Sequence, residues 1–228
     1  RVHIDALKRN DVEVVSVVAS SAARSTEAAK ELGVSRGDPN LKTALASVRA
    51  DSVHICTPNN QHYSMARDSI NAGKHVVCEK PLTLTALEAA DLRRRAIAKG
   101  VVNAVCFNNR FYPLVQEVVA HRRSDKLGEI FAIRASILDD GLWGFEDTGW
   151  RLDKDVGGAS VVTSTTGSHL LDLASFVLGS RVESVCADFG VIAPERTGGG
   201  ASVTLNSNSQ VGGEEIAHLL VRFRSGAQ

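Results

Sequence analysis

Apolar residues along the 228-residue chain fall into two periods. Residues 12–19, 52–57, 75–79 and 101–107 form short runs rich in β-branched side chains. The runs are mostly continuous rather than alternating, as in strands covered on both faces. Between them the spacing becomes helical: Leu41, Ala44, Leu45 and Val48, then Tyr63, Ala66 and Ile70, with Gly73 where a C-cap glycine belongs. Residues 83–99 are rich in strong helix formers and end at Gly100. Val2, Ala6 and Leu7 place a further helical pattern at the start. Strand, helix and strand in this rotation predict right-handed βαβ units, hence a doubly wound α/β sheet of parallel strands.

Beyond about residue 110 the rhythm changes. Pro113 opens a helix, 129–138 reads as a long half-buried strand, and 139–158 is a loop rich in Asp, Gly and Trp. Leu170, Leu171, Leu173, Phe176 and Leu178 predict a helix stopped by Gly179. Residues 181–191 and 218–223 read as strands, and 197–213, rich in Gly, Ser and Asn, as an exposed or disordered loop. Strands without intervening helices predict a second α/β domain on a largely antiparallel sheet. The expected division is 1–108 and 109–228. Each domain reads as incomplete at its outer end: the first opens inside a helix, and the second stops after a strand that should pair with something further.

Composition narrows the classes. A hydrophobic fraction of 43%, a charged fraction of 23% and a formal net charge of zero describe a soluble globular chain. No basic stripe offers a grip on nucleic acid. No run of eighteen apolar residues predicts a membrane span, and no signal-peptide profile stands at the start. Cys56, Cys78, Cys106 and Cys186 share no metal-ligand spacing, and three lie in apolar runs that read as buried strands. The expectation is a reducing, cytoplasmic setting and no metal.

In an open parallel sheet, ligands bind beyond the carboxyl ends of the strands. Here those ends carry Thr57-Pro58-Asn59-Asn60-Gln61-His62, then Glu79-Lys80-Pro81, then Asn108-Asn109-Arg110-Phe111. Lys80 stands out, confined between a buried strand and Pro81. A partly desolvated lysine in a crevice suits general acid–base work. The plainer alternative is a surface lysine in a strand–helix turn.

Cys78-Glu79-Lys80-Pro81 after a His-Val-Val strand resembles the signature of the glucose–fructose oxidoreductase and inositol dehydrogenase family, Gfo/Idh/MocA. The likeness extends in order through Thr57-Pro58-Asn59 with His62, Asn109-Arg110-Phe111-Tyr112-Pro113, Trp150-Arg151-Leu152-Asp153, Gly157-Gly158, and Gly167-Ser168-His169 with Asp172. The resemblance implies a Rossmann domain for NAD or NADP and a second domain carrying most of the pocket for a sugar or cyclic polyol. It implies that Lys80 shuttles the hydroxyl proton during hydride transfer, assisted by His169. Glu79 would hold the nicotinamide ribose. Thr57, Pro58, Asn59, His62 and Asn108 would line the cofactor, and Asn109, Trp150, Arg151 and Thr165 the substrate. A homodimer or homotetramer is implied as well. Trp150 and Arg151 also fit an ordinary aromatic–guanidinium stack.

Two departures stand against the family pattern. The first strand and its glycine-rich turn, which would hold the pyrophosphate, are missing before Arg1. The Asp usual four positions before the pocket histidine is replaced by Thr165, which carries no charge. A nucleotide-binding regulatory protein without turnover therefore remains an alternative, as does reduction of an imine, an enal or a carbon–carbon double bond. After the run 12–19, Ser20 and Arg24 stand where an NAD enzyme places an acid, which favours NADP over NAD.

Overall fold

The computed structural model describes residues 1–140, 149–192 and 213–228. They form two compact units, Arg1–Thr57 with Gln61–Glu79 and Thr85–Val105, and Pro58–Asn60 with Lys80–Leu84 and Cys106–Gln228.

The first unit begins with helix α1 (Val2–Arg9) and strand β1 (Val17–Val18). Helix α2 (Ala22–Leu32), strand β2 (Gly37–Asp38), helix α3 (Leu41–Ser47) and strand β3 (Ser52–Ile55) follow. Helix α4 (Asn59–Asn71), strand β4 (His75–Cys78), helix α5 (Ala86–Lys99) and strand β5 (Asn103–Val105) complete the alternation. Strands β1 and β2 pair in parallel, and β3, β4 and β5 form a parallel sheet in that order, with Ile55 opposite Cys78 and Cys78 opposite Val105. This is the expected doubly wound pattern. Ile55, Ala66, Ile70, Val76, Cys78, Leu92 and Ala96 are its buried core. Each large aliphatic side chain among them contributes about 1.5–3 kcal/mol through lost contact with water.

Local chemistry sets the helix ends. Thr85 accepts the Glu88 amide while Glu88 reaches back to the Thr85 amide, a reciprocal cap that starts α5. Gly100, at φ 65°, takes the left-handed turn that ends it. Helix α2 escapes a search for apolar spacing because its buried residues are only Ser25 and Ala29. Its start is set by Ser21, whose hydroxyl accepts the Arg24 amide at 3.2 Å.

Strand β1 covers two residues of the run expected over 12–19, since its ladder partner β2 is itself only Gly37–Asp38. Gly37 is required there: a Cβ would stand 2.3 Å from the Ser25 carbonyl oxygen. The cysteine expectation also needs correction. Cys78 is buried, whereas Cys106 is half-buried and Cys56, one residue beyond β3, is exposed.

The second unit holds a 3₁₀ turn (Asn108–Phe111), helix α6 (Pro113–Arg123) with its proline in the first turn, and the short helix α7 (Lys154–Gly157). A π-helical turn (Thr163–Gly167) runs directly into helix α8 (Ser168–Leu178), which Gly179 ends at φ 64°. Strands β6 (Val182–Gly190) and β7 (Ile216–Phe223) pair antiparallel, and burial alternates along β7 as in a sheet covered on one face. Val119, Leu152, Val161 and Phe223 are buried here.

The strand expected over 129–138 does not form. A ladder needs a partner, and among the described residues the backbone of this stretch meets only Gln228, through Ile133 and Phe131. Most of the loop expected over 197–213 lies outside the described residues, as do residues 141–148 of the loop 139–158. No helix of the described residues is long and apolar enough to cross a membrane.

Candidate active site

Lys80 lies just beyond the carboxyl end of β4, and its peptide bond to Pro81 is cis. Its ammonium nitrogen donates to the main-chain carbonyl of Thr165 at 2.5 Å. The Thr165 hydroxyl turns the other way and donates to the Val161 carbonyl at 2.6 Å. Its neighbours behave alike: Ser164, Thr166 and Ser168 each bond a carbonyl four residues back. Such back-bonding competes with the regular helical ladder. The turn it accompanies is wider than an α-turn, with the Ser168 amide reaching the Thr163 carbonyl five residues back. The position that resembles the family's carboxylate thus meets Lys80 through its backbone.

A second carboxylate holds the head of this turn. Glu214 is buried and accepts from the Ser160 hydroxyl and the Thr163 amide, both at 2.8 Å, and from the Val161 amide at 3.4 Å. Its own carbonyl accepts the Val162 amide at 3.0 Å. These are the amides that a helix start leaves without intrahelical partners. Burial opposes ionisation of Glu214, but the bonds from Thr163, its own backbone and Ser160 outweigh it and hold the carboxyl below the usual range.

His169 stands in the first turn of α8, with its ring edge-on to Phe107 at 5.7 Å between centroids. One turn on, Asp172 accepts both Nε of Arg110, at 2.6 Å, and its Nη2. The Arg110 guanidinium lies 4.9 Å over the Phe176 ring. The hydrogen bond to Asp172 raises the Arg110 pKa against the opposing effect of burial. This clamp fixes the 3₁₀ turn, and with it exposed Asn108 and half-buried Asn109, against α8.

Other expected site residues are already engaged. The Asn59 amide donates to the Gly157 carbonyl at 2.8 Å and Asn60 to the Asp155 carbonyl at 3.1 Å, which ties the start of α4 to α7, with Pro58 half-buried beside it. The Arg151 guanidinium stacks 4.5 Å over the Trp150 ring, and Leu152 beside them is buried.

In the first unit, His62 is wholly buried and its Nε2 bonds the Thr57 carbonyl at 2.8 Å, bracing the turn after β3. The Thr57 hydroxyl meets the Met65 sulfur at 3.7 Å. Glu79 accepts from His3 Nε2 at 3.1 Å, and His3 Nδ1 meets His54 Nδ1 at 3.0 Å. Burial, then the neighbouring His3, lowers the His54 pKa. At the end of β1, Ser20 is exposed, and Arg24 pairs with Glu27 one turn along α2. Parallel strands β3 and β4, followed by Thr57 and Glu79, with small hydroxyls after β1, fit a dinucleotide laid across the carboxyl edge.

The profile of the oxidoreductase family with an NAD-binding Rossmann fold, Gfo/Idh/MocA, matches residues 1–107, and that of the family's C-terminal domain matches 115–228. The chain belongs to the Gfo/Idh/MocA family. Its relatives include a D-glucoside 3-dehydrogenase of Escherichia coli, 32% identical over 78% of this chain and 50% of that protein. A D-xylose 1-dehydrogenase (NADP(+)) of Haloferax volcanii is 30% identical over 81% of this chain and 56% of that one. The fold superposes on a levoglucosan dehydrogenase in complex with NADH and levoglucosan with a TM-score of 0.86, at 25% identity, over 95% of this chain and 56% of that one. The chain spans about half the length of these Gfo/Idh/MocA proteins.

Sequence reasoning missed His3, His54 and Glu214. Helical phase alone gives no reason to single out His3. Glu214 is the first of two adjacent acids, with Glu215, after a Gly-rich stretch, and only its long-range bonds single it out.

Proposed function

We propose that the protein is an NAD(P)-dependent dehydrogenase that oxidises a secondary alcohol of a sugar or cyclic polyol, or reduces the matching ketone. The observation that carries the reading is the bond from Lys80 to the Thr165 carbonyl, which fixes a lysine at the turn leading into His169. Bound at the carboxyl edge of the first unit, the nicotinamide would accept or return the hydride of the substrate's carbinol carbon. In the oxidative direction Lys80, as the free amine, takes the hydroxyl proton, and in reduction its ammonium returns that proton to the carbonyl oxygen. The Thr165 carbonyl keeps one N–H of Lys80 engaged and so orients the nitrogen. His169 donates to the same oxygen. Glu79, steadied by His3, would hold the nicotinamide ribose beside Thr57. Asn59, Asn108 and His62 shape the turns around it, and Asn109, Trp150 and Arg151 face the substrate.

Ser20 and the Arg24 guanidinium near the end of β1 favour a 2′-phosphate, hence NADP, once Arg24 leaves Glu27. Relatives differ here: the D-xylose enzyme is named as NADP-dependent, and the levoglucosan dehydrogenase structure holds NADH. The reading without turnover draws on Thr165, which brings no side-chain carboxylate to Lys80.

The test is reduced-nicotinamide formation by the intact protein with NAD and NADP across a panel of aldoses, glycosides and inositols. Lys80→Ala should lower kcat at least a hundredfold, in line with the usual worth of a positioned acid–base group. Cofactor affinity, read by nicotinamide fluorescence, should change little. Full turnover in Lys80→Ala removes the assigned role, and cofactor binding with no turnover on any substrate supports the non-catalytic reading.

A further inference from the structure

At the far end of α8 from His169, a cavity of about 270 Å³ opens between the last turns of α6 and α8. Four arginines line it, Arg110, Arg122, Arg123 and Arg181, together with Ser175 and Ser180 and no carboxylate among the described residues. Gly179 lies about 15 Å along the helix from His169, at 1.5 Å per residue, so the cavity is separate from the chemistry around Lys80.

Arg110 is committed to Asp172. Arg122, Arg123 and Arg181 take part in no ion pair among the described residues. The Arg122 Nε is buried and has no hydrogen-bond partner among them. This guanidinium is packed tightly: a Cβ on Gly179 would stand 2.7 Å from its Nη1. The opposite wall is braced, because the Ser180 hydroxyl accepts the Ser225 amide at 3.0 Å and the Arg181 carbonyl accepts the Arg224 amide at 2.9 Å. Ser180 therefore keeps its hydroxyl proton for another acceptor.

The plain explanation is that cations gather at helix C-termini because the carbonyl ends are negative. With each terminus equivalent to roughly half a charge, the two helix ends and Asp172 offset only about half of the four positive charges. Nor does that field give the buried Arg122 Nε a directional acceptor, and an orphaned buried donor is costly. Several arginines around one cavity, with a hydroxyl that can donate, match an oxyanion that accepts several bonds at once.

We propose that this cavity binds a compact oxyanion of two or more charges, a phosphate monoester or a polycarboxylate, held by Arg122, Arg123, Arg181 and Ser180. Titration calorimetry on the intact protein with inorganic phosphate, glucose 6-phosphate and citrate, at constant ionic strength set with chloride, tests this. The expected result is saturable binding of at least one probe, and the preferred probe identifies the ligand's source. Affinity should drop at least tenfold in the double variant Arg123→Gln/Arg181→Gln, whose side chains are exposed, and in Arg122→Gln. Binding should persist in Lys80→Ala and with the dinucleotide saturating. Thermal melts of each variant confirm that it is folded. No saturable binding by any probe, binding that the arginine variants leave unchanged, or displacement of the anion by dinucleotide would each overturn the assignment.

Discussion

Removing the Glu214 carboxylate should loosen the turn that holds Lys80, and the structure sets the size of the effect. The carboxylate accepts two bonds at 2.8 Å and a longer one at 3.4 Å in a buried setting. Hydrogen bonds to a charged group are worth about 1.5–3 kcal/mol each, so the two short bonds put the cost of Glu214→Ala at roughly 3–6 kcal/mol. Glu214→Gln can keep both short bonds on its Oε1 but loses the charge and sets an NH₂ against the Val161 amide, and should cost about half as much. For a chain of this length 1 kcal/mol moves Tm by about 2–4 °C, so the alanine variant should melt roughly 6–24 °C lower at neutral pH. Because the folded carboxyl titrates below its unfolded value, its contribution is complete above the ordinary carboxylate pKa of about 4.3. It is lost as pH falls through the lower folded value. Melting curves by circular dichroism between pH 7 and pH 3 should therefore show the gap between wild type and Glu214→Gln closing in acid. Turnover should also fall in kcat more than in cofactor KM, since the turn offers its Thr165 carbonyl to Lys80. An unchanged Tm at neutral pH, or a gap constant down to pH 3, would refute the reasoning.

Other outcomes follow from the same geometry. Gly157→Ala would press a Cβ to 2.5 Å from the Arg151 carbonyl oxygen, a backbone atom that cannot rotate away, so it should destabilise by about 2 kcal/mol or more, read by thermal melting. Gly158→Ala, at φ 100°, should be comparably costly. His54 has a depressed pKa in the folded state, so the unfolded chain takes up its proton first. Stability from this group is full above the unfolded value of about 6.5 and declines as pH falls below it. His54→Gln should remove that portion of the acid-side loss in Tm between pH 7 and pH 5.

What the sequence made legible was whatever short-range chemistry decides. Gly73, Gly100 and Gly179 act within one turn, and the helices they stop end where the spacing predicts, whereas the cap of Thr85 with Glu88 starts α5 at Ala86, three residues after the expected start at 83. Whatever depends on a remote partner was hidden. The run 12–19 contributes only β1 because β2 is two residues long, and 129–138 has strand-forming residues without a neighbouring strand among the described residues. The ordered motifs around Lys80 pointed to the family, but the atoms in contact did not follow from them. Thr165 reads as a lost carboxylate and meets Lys80 with its carbonyl, while Asn59 reads as a ligand contact and donates to Gly157.

The widened turn at Thr163–Gly167 also fixes the compass bearing of everything after it. Successive α-helical residues differ by about 100° around the axis, so excising a single residue there would swing all of α8 by that angle. His169 would rotate off Phe107 and Asp172 off Arg110 in one stroke. A one-residue deletion, harmless in most exposed loops, would here re-aim a whole helix, so length at this point is as much a part of the site as the identity of any side chain in it.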